Sequence, residues 1–118
     1  MKKILLSLIL SSFTYSSFAQ TKILDEIQGV AQYNATILGY AVNCSLNKDD
    51  IELVKNQFIS VLSNVGLSKE DYNDTYKKFF DTYHVAKEKG PKNSNMSCEE
   101  FKPEFNKIVS AIKTGRTN

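Results

Sequence analysis

The chain reads as an all-α protein, a small antiparallel four-helix bundle stapled by one disulfide. Three observations point there. Apolar residues recur at three- and four-residue spacing through almost the whole chain after residue 20, and no stretch alternates for long enough to suggest a strand. Glycine and proline are scarce and fall mostly at the joints between periodic segments. The two cysteines, Cys44 and Cys98, fall at the end of the first helical segment and the start of the fourth. In an up-down-up-down bundle these two points lie at the same end.

The first segment is not part of that domain. Lys2 and Lys3 precede an apolar run from Ile4 to Leu10, and Ser17-Phe18-Ala19 comes after it. A basic start, a short apolar stretch and a small-x-small site make a secretory signal peptide over residues 1–19, cleaved near Ala19-Gln20. The run is too short to span a bilayer. Residues 20–118 then form a single helical domain, expected in the periplasm or outside the cell. Without Lys2 and Lys3 the bases fall from 15 to match the 13 acids. A neutral chain lacks the excess of Lys and Arg that general nucleic-acid binding needs, and it has no polybasic membrane anchor.

An oxidising destination and an even cysteine count favour a Cys44–Cys98 bond. Closing a loop of about 55 residues stabilises by roughly 4 kcal/mol in the chain-entropy account. No C-x-x-C spacing marks a redox-active pair.

The first helix runs from about Lys22 to Asn43. Its apolar side chains cover an arc of roughly 220° at 100° per residue, against little more than 100° for a single packing face. Either this helix is central or it carries a second contact face. Gly29 and Gly39 lie at the edge of the arc beside Tyr33 and Tyr40. Each costs about 1 kcal/mol of helix stability, which a close approach by another backbone would explain. Tyr33, Ile37 and Tyr40, with Gly29 and Gly39, are therefore the candidate surface for a partner or for self-association.

Asn47 caps the second helix, Asp49 and Asp50 suit its first turn, and Ile51, Val54, Phe58, Val61 and Leu62 form its stripe. Gly66 ends it. Ser68 with Asp71 opens the third helix, whose stripe is aromatic: Tyr72, Tyr76, Phe79, Phe80 and Tyr83, then Ala86. Gly90-Pro91 stops it. The connector Lys92 to Met96 reads as loose. Ser97 with Glu100 forms a capping box that makes Cys98 the first residue of the fourth helix. Phe101, Phe105, Ile108, Val109 and Ile112 continue one face, and Pro103 is expected to kink or restart the helix. The tail from Thr114 to Asn118 is expected to fray.

Chemistry is sparse. The single histidine, His84, has Asp81 three residues before it and Glu88 four after. Such a trio is able to hold a metal, but it falls on the side expected to face water, so no metal and no cofactor are assigned. The acidic pairs Asp25-Glu26, Asp49-Asp50 and Glu99-Glu100 sit at helix starts, where they complement the dipole, and no catalytic residue is assigned. The expected function is that of a non-enzymatic exported protein that binds another protein. The architecture resembles that of small periplasmic immunity proteins that guard against secreted effectors, and also that of periplasmic acid-stress chaperones. The resemblance covers the build alone and lends no site residues. An immunity-type inhibitor is the most concrete expectation. A chaperone or secretion accessory is the alternative, as is a small-ligand carrier using the aromatic face of the third helix.

Overall fold

The computed structural model describes residues 20–115. The segment 1–19, expected to be a signal peptide, and the last residues of the tail, 116–118, lie outside the described residues. Four helices succeed one another: α1 (Gln20–Asn43), α2 (Lys48–Asn64), α3 (Lys69–Lys89) and α4 (Cys98–Lys113), with a 3₁₀ turn over Pro91–Ser94 before the last. The fold is the expected helical bundle, and Cys44 and Cys98 are joined, with Cα atoms 5.6 Å apart.

Local chemistry sets the joints. Asn47 Oδ1 accepts from the Asp50 amide at 3.0 Å, and Ser68 Oγ from the Asp71 amide at 3.1 Å. At α4 the capping box closes in both directions: Ser97 Oγ accepts from the Glu100 amide, and Glu100 Oε1 from the Ser97 amide. The end of α1 has no glycine. Ser45 takes the left-handed conformation, φ 55°, and the amides of Ser45 and Leu46 return to the carbonyls of Val42 and Ala41. This is a Schellman closure with serine where glycine is the usual occupant.

Two joints differ from expectation. The connector after α3 is ordered, not loose. Gly90 and Pro91 are buried, Gly90 packs against the Asn43 side chain, and Tyr40 and Ser94 share a 2.7 Å hydrogen bond between hydroxyls. Nor does α4 restart at Pro103. The donor that Pro103 lacks would have served the carbonyl of Glu99, in an exposed first turn where solvent is able to satisfy it. At the far end Thr114 Oγ1 donates to the Ser110 and Ala111 carbonyls, which closes the last turn of α4.

α1 packs against all three other helices, most closely against α3. The two run parallel. Gln28 Nε2 donates to Asp74 Oδ2 at 3.0 Å and to Thr75 Oγ1 at 3.2 Å, Gly39 meets Ala86, and Asn43 Nδ2 donates to the Lys87 carbonyl at 2.9 Å. Small residues allow this approach: Ala31, Ala35 and Thr75 have no exposed surface. α2 returns antiparallel and buries Val54, Phe58 and Leu62.

α4 starts beside Cys44. At its other end Lys113 Nζ lies 3.5 Å from Asp50 Oδ1, in the first turn of α2. Sixteen residues of helix span about 24 Å. With both ends tied to the same end of the α1–α2 pair, α4 lies across that end rather than down the length of α1. Phe101, Phe105 and Val109 bury it there, each worth about 1.5–3 kcal/mol of transfer free energy.

Candidate functional site

The α3 aromatics divide between core and surface. Phe79 is buried and stacks on Phe58 of α2, centroids 5.0 Å apart. Tyr76 lies beside it at 6.2 Å and meets Phe80 edge-on at 4.8 Å. Phe80 is 40% exposed, and it and Val85 are the large hydrophobic residues left at the surface among the described residues. Tyr83 completes the row, with Lys87 Nζ 5.9 Å from its ring centroid.

Between this row and α2 runs a cleft of about 210 Å³. Leu38, Ile51, Ile59, Phe79 and Phe80 make it apolar, and Tyr76 and Tyr83 add rings with polar tips. Glu52 and Lys55, paired at 2.7 Å, also line it. The hydrogen bond that Lys55 Nζ donates to the Glu52 carboxylate raises the Lys55 pKa above the ordinary lysine value. The aromatic half of this cleft is visible in the sequence as a stripe. Its α2 half is not: Ile51 falls on the apolar stripe of that helix, and nothing in the sequence marks Ile59, Glu52 and Lys55 as facing α3.

The residues expected to form an outward face on α1 are placed otherwise. Ile37 and Tyr40 are each 6% exposed and belong to the core. Tyr40 meets Phe101 of α4 edge-on at 5.6 Å. Gly39 is buried against α3. The wide apolar arc is thus covered by three helices of the same chain. Tyr33 is half-buried against that core. Its phenol is held well above the usual tyrosine range, first by burial and second by the nearby Glu104 carboxylate. Gly29 alone of the five is openly exposed, with nothing near the place a Cβ would take.

His84 lies on the outer side of α3, with its ring near Phe80 and Tyr83. Asp81 turns to Lys77, 3.7 Å away. Among the described residues no group of three or more His, Cys, Asp or Glu is placed to hold a metal ion, and no helix is long and apolar enough to cross a membrane.

Comparison with protein-family models, with characterised proteins and with solved structures gave no match.

Proposed function

We propose that this is an exported, non-enzymatic binding protein, most concretely an immunity-type inhibitor of a secreted effector, and that it grips its partner at the cleft between α2 and α3. The cleft's size carries the reading. Pockets for small molecules run to about 300–1,000 Å³, and 210 Å³ falls short of that. It suits one large side chain of a partner, seated among aromatic walls with a polar edge. Binding hot spots have this form: an anchor in a water-excluding pocket with tyrosine nearby. The signal-like first segment and the disulfide support an oxidising destination.

The test is protection. Candidate effectors are taken from the genes that neighbour this one, and each is expressed in the periplasm with the parent protein or with Phe80→Asp. Phe80 is substantially exposed, so the variant should melt near the parent. The parent should rescue growth and co-purify with the effector, and the variant should do neither. Equal protection by Phe80→Asp would remove the cleft from the reading.

The aromatic walls favour a second reading, a carrier of a single-ring molecule small enough for a cleft of about 210 Å³. Native mass spectrometry of the periplasmic protein would then show a retained mass that Phe80→Asp loses.

A further inference from the structure

The outer side of α3 carries a pattern that the cleft does not use. Lys77, Asp81, His84 and Glu88 fall within about 60° of one another around the helix, on the side opposite the buried Thr75, Phe79 and Ala86. All four are exposed. Phe80 and Val85 flank this stripe, about 70° to either side. Along the helix the stripe runs base, acid, base, acid. In the opposite direction it runs acid, base, acid, base, so it is complementary to its own reverse.

That is the requirement for two identical helices packed antiparallel about a two-fold axis, where the same patch must fit itself. The geometry points to self-association of this protein through α3, with a second copy as the occupant of this face. Centred between Thr82 and Tyr83, the pairing sets Lys77 against Glu88 of the second copy and Asp81 against His84 of the second copy, each twice. Phe80 then meets Phe80 along one flank and Val85 meets Val85 along the other, which covers both exposed hydrophobic residues. Sliding the pairing by four residues one way sets Asp81 against Glu88, like charge against like, and sliding it the other way sets Lys77 against His84 and gives up the Lys77–Glu88 pairing. Like-charge contacts across an interface are costly, and a seven-residue slide one way keeps only Lys77 against Asp81 within the stripe, so the register centred between Thr82 and Tyr83 matches the most of its residues.

The existing Lys77–Asp81 pair is no obstacle. Its side chains are 77% and 69% exposed, and such pairs contribute little. The inference goes beyond the partner-binding reading; Phe80 belongs to both faces, so the charge variants, which lie outside the cleft, are what separates the two. In this arrangement the Phe80 flank of each copy, and hence each cleft, lies on the same side of the pair.

Charge exchange is the test, read by sedimentation equilibrium over a wide concentration range at low salt. The parent should form a dimer. Lys77→Glu and Glu88→Lys should each weaken it by about tenfold or more, the size of a like-charge contact made twice. The double variant, Lys77→Glu with Glu88→Lys, should recover the parent affinity, because the two charges exchange places across the axis. Both sites are exposed, so circular dichroism should show all four proteins folded. A parent that stays monomeric at its highest soluble concentration overturns the proposal, as does a double variant no better than the single ones. Loss of effector protection by Phe80→Asp with these four proteins behaving identically would retain the partner site and discard the dimer.

Discussion

Gly29 and Gly39 stand ten residues apart in the same helix, and replacing each by alanine should have opposite effects. At Gly29 no atom lies within 4 Å of an added Cβ. The change is then one of helix propensity and should stabilise by about 1 kcal/mol. For a domain of this size that raises Tm by about 4–8 °C. At Gly39 the same propensity gain is opposed by contact with α3. An added Cβ would sit 2.5 Å from Ala86 Cβ, 2.6 Å from the Lys87 amide nitrogen and 2.8 Å from the Tyr83 carbonyl oxygen. Two of these are backbone atoms, which cannot swing aside as a side chain can. Overpacking costs about 1–3 kcal/mol and occasionally more, and unyielding neighbours place this site at the upper end. The net effect should be a loss of roughly 2 kcal/mol. Urea unfolding of the two variants and the parent, monitored by far-UV circular dichroism, reads both numbers. A Gly39→Ala protein as stable as Gly29→Ala would refute the close α1–α3 contact.

Three further perturbations test other parts of the structure. The native oxidised protein should show no titratable thiol, and replacing both cysteines by serine should lower stability by up to about 4 kcal/mol; unchanged melting would show that the bond carries no stability. Ser45→Gly should stabilise by roughly 0.5–1 kcal/mol, since it relieves a left-handed serine at φ 55° at the entropic cost of a freer unfolded chain; a lower urea midpoint would count against the closure described for α1. Tyr33 holds its proton more tightly folded than unfolded. Its contribution is therefore full below about pH 10 and is lost as pH rises beyond that. Tyr33→Phe should lose less stability than the parent between about pH 9 and about pH 11, and equal losses would refute the burial of that phenol.

The helix boundaries were largely legible because they rest on chemistry within a few residues: Asn47, Ser68 and Ser97 each cap the helix that begins beside them, and Gly66 and Gly90 each end the helix before them. The cysteine pairing was legible for another reason, since the expected compartment and the expected topology agreed on it. What escaped was anything set by a distant neighbour. Gly29 and Gly39 look alike in sequence and lie beside the same tyrosines. Only the position of α3 separates an exposed glycine from an obligatory one. The arc on α1 likewise had two readings, and three covering helices take up Ile37 and Tyr40 within the domain. Serine at the end of α1 hid a turn for which glycine is the usual marker. The cleft escaped because its two walls come from different helices and each wall resembles ordinary core.

The parallel fit of α1 on α3 has a consequence for the order of events when the chain emerges from a ribosome or a membrane channel. Gln28 and Thr75, which meet in the finished fold, are 47 residues apart. α1 comes out first as a helix apolar over much more than half its circumference, and its closest partner is still inside. α2 arrives soon and covers one side. The small-residue seam of Ala31, Ala35 and Gly39 stays bare until α3 has passed, and the Tyr40 side waits longer still for Phe101. During that interval the nascent chain displays a ready surface for a holding factor or for a neighbouring nascent chain. Domains whose main contacts span a long stretch of chain fold more slowly and are more exposed to such encounters. Slowing synthesis between α2 and α3 should therefore lengthen the vulnerable interval and lower the yield of soluble protein, whereas a pause after Lys113 should have no such effect.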